Sequence, residues 1–406
     1  MQPALAPAKL AIEGGKPIRT APFPPWPFFS EDEIAGCAEV MRSGRVNYWT
    51  GEQGKLFEQE FAQTCGCRYA LAVSNGTSAL ELSLRALGIG PGDEVVTSSR
   101  TFIASASSAV VCGARAVFAD VDRETQNITA EAIRAALTPR ARAIVAVHLG
   151  GWPCDMDPIL ELARERKLFV IEDCAQAQGA IYGGRPVGSF GDAAAFSFCQ
   201  DKIMTTAGEG GMIVTNREDV WERAAAYRDH GRSNASRSNG NAAGFPLVHD
   251  LIGTNARMTE IQAAIGRWQL KKVPEWGDIR RRHARALNER FVRIAALRPL
   301  FIPEIGIEPV FYRYYVFVRP ERLRAGWSRD RIIEAIRAEG TPCFMGSCGE
   351  VYLEKAFASA RPEHRFPMAR ELSETSLAFL VHPTLTAEEI EDTCRAVEKV
   401  FAFASL

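Results

Sequence analysis

A lysine that follows a strand-like run and precedes a glycine-rich turn is the residue of this chain best suited to covalent chemistry. Lys202 lies in the stretch Phe-Ser-Phe-Cys-Gln-Asp-Lys, and Gly208, Gly210 and Gly211 follow shortly after it. A lysine amine held at the end of a rigid element can attack a carbonyl carbon and form a Schiff base. The segment therefore indicates imine chemistry, provided that the partners of such a site occur elsewhere in the chain.

A carboxylate and an amide follow an earlier apolar run. Asp173 directly ends the run Leu-Phe-Val-Ile-Glu-Asp, and Gln176 comes three residues later. In an α/β sheet the carboxyl ends of parallel strands meet at one edge, so Asp173 and Lys202 could lie close together. Taken singly, Asp173 would cap the next helix and Gln176 would be a surface residue. With Lys202 downstream, we interpret both as polar groups of one site.

A phosphate cradle is indicated by the stretch Val-Ser-Asn-Gly-Thr-Ser. A strand ends, Gly76 makes a tight turn, and a helix begins at Thr77 or Ser78. Free N–H groups at a helix N-terminus suit a dianion. Ser197, five residues before Lys202, can add a hydroxyl group. A glycine turn before a helix is common and a strand serine can be a core residue, so each signal is weak alone.

An aromatic face completes the set. Phe102 follows a predicted strand and could stack on a flat ring, although an isolated phenylalanine is more often in the core. Pyridoxal phosphate (PLP) needs an imine lysine, a carboxylate for its ring nitrogen, N–H groups for its phosphate, a flat face, and a polar partner for its ring hydroxyl. The chain offers a candidate for each requirement.

The elements that must position these residues form a repeating pattern. Short apolar runs alternate with amphipathic stretches, which predicts an α/β fold with a mostly parallel sheet and helices on both faces. Several runs are continuous, as expected for strands buried on both sides. A short connection at Gly210-Gly211 predicts that the last two strands are antiparallel. The seven predicted strands are 70–73, 94–97, 116–118, 143–147, 168–171, 193–198 and 212–215, and helices are predicted at 78–87, 130–137 and 158–166.

The chain is long enough for two domains. We predict a proline-rich extended arm at 1–30, a large cofactor-binding domain at 31–270 and a small α+β domain at 271–406. Ser30 and the acidic residues after it predict the start of a helix reaching about residue 42. The polar stretch 231–253 is either a surface loop or a functional loop over the site.

The C-terminal part has its own pattern. A helix is predicted from residue 260 to 270, is interrupted at Pro274, and continues towards residue 296. The remaining predicted elements are strands at 312–318 and 341–344 and helices at 328–339 and 387–401. No cofactor pattern occurs in this part.

The composition excludes several classes. The 48 basic and 49 acidic residues nearly balance, which argues against a nucleic-acid or membrane-surface partner. The ten cysteines have neither disulfide-framework nor zinc-site spacing, so reduced thiols and no metal are expected. With neither an apolar run of membrane-span length nor a secretory leader pattern, we expect a soluble, cytoplasmic protein.

Taken together, these motifs resemble the DegT/DnrJ/EryC1/StrS family of sugar aminotransferases over nearly the whole chain. The resemblance implies a fold-type-I PLP-dependent transferase. It also implies the cofactor contacts: Lys202 forms the imine, Asp173 and Gln176 hold the ring, and Phe102 stacks on it. The phosphate is bound by Gly76, Thr77, Ser78 and Ser197. Asn255, in the stretch Gly-Thr-Asn-Ala-Arg-Met, would reach the phosphate of the neighbouring subunit, which implies a homodimer with shared active sites.

The implied reaction moves an amino group from L-glutamate to a keto-sugar, expected to be nucleotide-linked, and makes an amino sugar, with pyridoxamine phosphate as the intermediate cofactor form. Lys202 would also act as the base, and Asp173 would keep the ring nitrogen cationic. Two positions depart from the family pattern: Cys199 stands where many members have histidine, and Ala207 where many have glycine. Neither removes a cofactor contact, so activity is expected to survive.

Three alternatives remain open. The acceptor could be a keto-cyclitol or another carbocyclic ketone, since the N-terminal stretch 12–20 resembles enzymes of that kind. A dehydratase that uses the same cofactor would have histidine in place of Lys202, and a non-catalytic regulator that keeps the fold would not need an intact Lys202, Asp173 and Gln176.

His230, before the polar loop, is either a substrate contact or a structural residue.

Overall fold

The computed structural model describes residues 9–233, 249–302 and 306–406. Most of the polar stretch 231–253 therefore lies outside the described residues. The strands are β1 (Tyr69–Val73), β2 (Glu94–Ser98), β3 (Arg115–Ala119), β4 (Ala141–Val147), β5 (Phe169–Asp173), β6 (Ile181–Tyr182), β7 (Arg185–Pro186), β8 (Ala193–Ser197), β9 (Gly211–Thr215), β10 (Leu297–Pro299), β11 (Ile307–Glu308), β12 (Tyr314–Val318) and β13 (Ser376–Phe379).

The helices of the described residues agree with the predicted ones and add four that the sequence analysis missed. They are α1 (Glu31–Ser43), α2 (Gln53–Cys65), α3 (Gly76–Ala86), α4 (Ala104–Val111), α5 (Ala130–Ala136), α6 (Met156–Arg166), α7 (Glu218–Arg228), α8 (Glu260–Leu270), α9 (Val273–Phe291), α10 (Arg329–Ala338), α11 (Pro367–Thr375) and α12 (Ala387–Ala404). The missed helices are α2, α4, α7 and α11. None of the helices among the described residues is long and apolar enough to cross a membrane.

The large sheet has seven strands in the order β1-β9-β8-β5-β4-β2-β3. Its β8-β5-β4-β2-β3 part is parallel, and β9 runs antiparallel to both of its neighbours. The seven predicted strands, the predominantly parallel pairing and the antiparallel relation of the last two strands are thus confirmed.

Successive residues of a strand point to opposite faces of the sheet, and each face here packs in a different hydrophobic core. Leu71 and Val73 of β1 pack with α3, α4 and α7 on one face. Ala70 and Ala72 of the same strand pack with α2 and α8 on the other face. Both faces of the sheet are therefore covered by helices, and the continuous apolar runs follow from that double burial.

A second antiparallel sheet, β10-β12-β13, forms a separate hydrophobic core with α9, α10 and α12. The predicted strand 341–344 is wrong: only Phe344 makes an isolated bridge, to Ala378 of β13. Pro342 lacks an N–H group and cannot join a strand ladder, and β13 takes the position beside β12. Pro274 lies in the first turn of α9, where its missing N–H is not needed, so the predicted break before this helix is confirmed.

The N-terminal arm lies against the C-terminal part of the chain. Leu10 is fully buried in the core around β12, and Arg19 makes ion pairs with Glu389 at 2.7 Å and Asp392 at 3.0 Å. The helix predicted to start after Ser30 is present as α1, and Ser30 and Glu33 form a capping box at its start. The division of the chain at residue 270 stays a prediction, since the described contacts do not define a domain boundary.

Candidate active site

A cavity of about 840 Å³ opens at the carboxyl-terminal edge of the parallel strands. The ends of β5 and β8, the start of α3 and the segment after β2 all reach it. It is lined by nearly all of the side chains predicted for the site, namely Gly76, Thr77, Ser78, Phe102, Asp173, Gln176, Ser197 and Lys202. The edge of the sheet therefore brings together residues that lie more than a hundred positions apart.

Lys202 lies in the connection between β8 and β9, and its backbone is held on both sides. Its N–H donates to Cys199 O at 3.0 Å, and its carbonyl accepts a hydrogen bond of 2.8 Å from Nε1 of Trp26 in the arm. The Lys202 amine lies 3.4 Å from Oδ1 of Asp201 and 4.8 Å from the centre of the Tyr312 ring. Asp201 and Tyr312 therefore orient the amine. Most of the Lys202 side chain is buried, but it still lines the cavity.

Asp173 is the last residue of β5 and is 5% exposed. Its carboxylate accepts hydrogen bonds from Ser105 Oγ at 2.6 Å and from the Ala175 N–H at 3.1 Å. Burial raises the pKa of Asp173, and these two hydrogen bonds and the charges of His148 and Lys202 offset only part of that effect. A cationic group placed against this carboxylate would stabilise its ionised form.

The start of α3 offers free N–H groups. Asn75 caps the helix by accepting from the Ser78 N–H at 2.8 Å, which leaves the N–H groups of Gly76 and Thr77 without an acceptor among the described residues. The helix begins at Gly76, one residue before the earliest predicted position. Two unpaired N–H groups at the positive end of a helix dipole form a site for an anion such as a phosphate.

Gly76 also allows a close approach between α3 and β8. A Cβ atom at this position would lie 2.6 Å from the Ser197 Cβ, which is too close for any ordinary contact. The missing side chain lets the helix start lie directly against Ser197, whose hydroxyl faces the same cavity. The glycine is therefore required by packing, whereas its backbone conformation, which is not left-handed, would accept other residues.

Phe102 and Gln176 complete the inner wall. Phe102 is 62% exposed and lines the cavity, so the alternative of a core phenylalanine is excluded. The Oε1 atom of Gln176 accepts a hydrogen bond of 2.7 Å from the Gly150 N–H. The carbonyl side of this amide is thus engaged, which leaves its NH₂ group to donate into the cavity.

Two residues considered in the sequence analysis lie outside this cavity. Asn255 is exposed and pairs through its backbone with Asp229, and His230 is also exposed. A contact of Asn255 with the phosphate of a neighbouring subunit stays a prediction.

The C-terminal part of the chain supplies the outer wall, which sequence reasoning missed. Tyr312, Arg313, Tyr315 and Phe344 line the cavity opposite the sheet edge, and Tyr312 also hydrogen-bonds Asp201 through its hydroxyl. Asp201 could have been noticed because it precedes Lys202. The aromatic and basic residues near 312 have no local pattern that points to a site more than a hundred residues away.

The buried pair below Asp173 has a structural role. Glu172 accepts hydrogen bonds from His148 at 3.1 Å and from the N–H groups of Gly188, Phe190 and Gly191. Burial opposes its ionisation, but these bonds hold the pKa of Glu172 below its ordinary value. With its oxygens engaged in this way, Glu172 fastens the loop before β8 to β5 and fixes the strand end that carries Asp173.

Ala207, which departs from the family pattern, has an unfavourable backbone conformation. Ala207 has a φ of 64°, in the left-handed region that disfavours any residue with a Cβ atom. Glycine would be relaxed at this position, which gives a physical reason for the glycine that the family resemblance led us to expect there. Cys199, the second departure, lines the cavity without contacting the described carboxylates.

The class of protein follows from three features: the order of the strands in the large sheet, the position of Lys202, and the Asp173 carboxylate at the end of β5. The protein has the fold-type-I α/β architecture of PLP-dependent transferases. The family model for the DegT/DnrJ/EryC1/StrS aminotransferases matches residues 27–398. The chain belongs to this family, and it is an aminotransferase.

Known relatives agree with this assignment. The chain is 40% identical to the GDP-perosamine synthase of Caulobacter vibrioides over 87% of its own length and 92% of that protein. It is 38% identical to a putative L-glutamine:3-amino-2,3-dideoxy-scyllo-inosose aminotransferase of Streptoalloteichus tenebrarius, over 82% of its own length and 79% of that protein. The X-ray structure of an aminotransferase from Psychrobacter cryohalolentis superposes with a TM-score of 0.92 at 51% identity, over 94% of this chain and 99% of that one.

Proposed function

We propose that the protein is a PLP-dependent aminotransferase that moves an amino group from L-glutamate to a nucleotide-linked keto-sugar and makes an amino sugar. The observation that carries this proposal is the meeting of Lys202, Asp173 and the free N–H groups of α3 in one cavity of about 840 Å³. Bound PLP supplies an electron sink that makes the α-proton of an amino acid acidic.

Each residue then has a defined task. Lys202 holds the cofactor through its amine and, once released, accepts and returns a proton at Nζ. The buried Asp173 carboxylate keeps the ring nitrogen protonated. Phe102 and Gln176 line the cavity, where the Phe102 ring would stack on the cofactor ring and the Gln176 NH₂ group would donate to the ring oxygen. Gly76, Thr77, Ser78 and Ser197 bind the phosphate through N–H and hydroxyl groups.

The cofactor assignment is tested by borohydride reduction of the purified protein. We expect an absorbance band of a lysine-bound cofactor, its loss on reduction, and a mass increase on the peptide that contains Lys202. Lys202→Ala should lose the band and all amino transfer. Lys271→Ala, which replaces an exposed lysine at the end of α8, serves as the control and should retain both. A reduced label on another lysine, or a normal band in Lys202→Ala, would contradict the assignment.

The acceptor is a separate question. The sugar-nucleotide relative at 40% identity and the Asn-Ala-Arg-Met run at Asn255 favour a nucleotide-linked keto-sugar. The relative named for a scyllo-inosose at 38% identity keeps a keto-cyclitol as the second candidate. Incubation of the glutamate-treated enzyme with one ketone of each class distinguishes them, since only the true acceptor restores the original cofactor band. Restoration by the cyclitol alone would overturn the sugar proposal.

The family membership supports an enzyme over a non-catalytic regulator, and Lys202 in place of a histidine supports transamination over dehydration. We also propose a cytoplasmic homodimer in which Asn255 reaches the phosphate of the neighbouring subunit.

A further inference from the structure

A second, smaller cavity of about 290 Å³ adjoins the active-site cavity. The two cavities share four wall residues, Asp201, Tyr312, Arg313 and Phe344. On its far side the smaller cavity is closed by Trp26 of the N-terminal arm and by Arg280 of α9. It is therefore a side chamber of the site that contains Lys202. Below, we call it the arginine chamber.

Arg280 is the most unusual residue of this chamber. It is 1% exposed, and one terminal nitrogen donates to the carbonyl oxygens of Phe311 and Tyr312 at 3.3 Å. Among the described residues, its Nε and its other terminal nitrogen have no hydrogen-bond partner, and no carboxylate pairs with it. Burial and the charge of Arg313 lower the pKa of Arg280 to about 9.

A buried guanidinium without an anion is costly, because the lost hydration is not replaced. The equally buried Arg228 pairs with Glu58 at 2.8 Å. Arg100 is the other buried case: among the described residues it has no ion pair, and its Nε donates to Gln126 Oε1 at 3.1 Å. At Arg280 the two carbonyls are supplemented, within the described part of the chain, by the Trp26 ring, whose centre lies 5.3 Å from the guanidinium carbon. The free nitrogens of Arg280 thus lack the anionic partner that such a group requires.

Arg313 adds a second positive charge and lines both cavities. Its guanidinium lies over the rings of Tyr312 and Phe344, at 5.2 and 5.3 Å from their centres, and it makes no ion pair within the part of the chain that the structure describes. Asp201 is the one carboxylate in the walls of the chamber. It is already engaged by the Tyr312 hydroxyl and by Lys202. Arg280 and Arg313 therefore line the chamber together with one carboxylate that Lys202 already neutralises, and the chamber is positive.

We propose that the arginine chamber binds a carboxylate group of the amino donor through Arg280 and Arg313. The inference rests on the proposed function, since it assumes that an amino acid reacts at Lys202. A planar guanidinium matches a carboxylate with two parallel hydrogen bonds. The chamber's volume suits the carboxylate end of a small amino acid better than a nucleotide. A phosphate of the acceptor offers similar chemistry, so the experiment must separate the two sources.

The test measures the two half-reactions separately in cofactor-loaded protein. In Arg280→Gln and Arg313→Gln, the L-glutamate concentration for half-maximal conversion should rise at least about tenfold, equivalent to about 1.4 kcal/mol. The half-saturating concentration of the acceptor should stay unchanged. Arg282→Gln, which removes the same charge from an exposed position of α9, is the matched control and should change neither value.

A second measurement does not depend on the folding of a variant. Glutarate, which has no amino group, should compete with L-glutamate in the wild-type enzyme, and a crystal of that complex should show a carboxylate between Arg280 and Arg313. Density for glutarate elsewhere, or unchanged glutamate dependence in folded Arg280→Gln and Arg313→Gln, would overturn the inference.

A rise confined to the acceptor's half-saturating concentration would likewise overturn the donor assignment, because the chamber would then serve a phosphate. These outcomes leave the proposed function intact. Failure of the wild-type enzyme to convert its cofactor with any amino acid would instead overturn the proposed function itself.

Discussion

At the scale of single residues, the Asp173 carboxylate lowers the stability of the cofactor-free protein and favours binding of the cofactor. Its carboxylate is buried at the end of β5, and burial raises its pKa although Ser105 and the Ala175 N–H donate to it. In the folded protein this carboxyl group thus lies in a place that disfavours its ionised form. A protonated ring nitrogen would relieve this cost, so the carboxylate contributes to cofactor binding.

Asp173→Asn tests this exchange. An acid whose pKa is raised in the folded state makes the free energy of unfolding fall as the pH rises from the ordinary value towards the raised one. The amide of the Asp173→Asn variant does not ionise, so its free energy of unfolding does not fall in this pH range. Cofactor-free Asp173→Asn should therefore be more stable than wild type at neutral pH, and the difference should shrink towards about pH 4, the ordinary range of aspartate. Urea unfolding at several pH values measures it.

The same variant should lose amino transfer by about 100-fold or more, because the ring nitrogen would no longer be held protonated. Asp157→Asn, at an exposed position of α6, is the control and should change neither stability nor activity substantially. A cofactor-free Asp173→Asn protein that is less stable than wild type at neutral pH would refute the argument from burial.

At the scale of elements, the site depends on how tightly α3 packs on the end of β8. The phosphate site predicted at the helix start needs the N–H groups of Gly76 and Thr77 to face the cavity. That orientation is possible because Gly76 lies directly against Ser197 and leaves no room for a side chain. The position of a whole helix relative to the sheet is thus set at one residue.

Gly76→Ala should move the start of α3. The added Cβ would lie 2.6 Å from the Ser197 Cβ, so the helix or the strand must shift. We expect a stability loss of about 1–3 kcal/mol from overpacking and a cofactor affinity reduced by roughly tenfold or more as the N–H groups move. Titration of cofactor-free protein with PLP measures the affinity.

Gly90→Ala is the matched control, because a Cβ atom there meets nothing closer than 3.9 Å. It should leave the PLP affinity unchanged. Equal affinities for wild type and Gly76→Ala would show that the close packing at Ser197 does not position the phosphate site.

At the scale of the whole molecule, the cavity is closed by parts of the chain far from the parallel sheet. Trp26 of the arm holds the Lys202 carbonyl, and Tyr312 and Arg313 before β12 form the opposite wall. Asn255 lies outside this cavity and is exposed. These placements fit a site that is completed by a second subunit, as proposed above.

A mixing experiment tests the shared site. Lys202→Ala and Asn255→Ala protein should each be impaired, and unfolding and refolding them together should restore activity. If Asn255 acts across the dimer, a mixed dimer combines both defects in one site and leaves the other intact. Since random pairing makes about half of the dimers mixed, roughly a quarter of wild-type activity should return. Absence of any restoration would show that Asn255 does not act on the neighbouring subunit's site.

Much of this architecture could be predicted because the relevant signals are local. Continuous apolar runs predicted all seven strands of the large sheet, since strands covered on both faces must be apolar along their whole length. The same runs placed Asp173 at a strand end, and the glycine turns located Gly76 and Lys202 beside their elements. Helices α2, α4, α7 and α11 were missed, and the strand at 341–344 was wrong because Pro342 cannot take part in a ladder.

The sequence by itself determined the chemistry of this protein, because a lysine, a carboxylate and a glycine turn at strand ends are set by short stretches of chain. Only the tertiary structure decided what surrounds that chemistry. Ser105 at Asp173, Tyr312 near Lys202, and Arg280 beside Trp26 are brought together by contacts between distant segments. No local pattern encodes such contacts, since they arise from the packing of complete elements against one another.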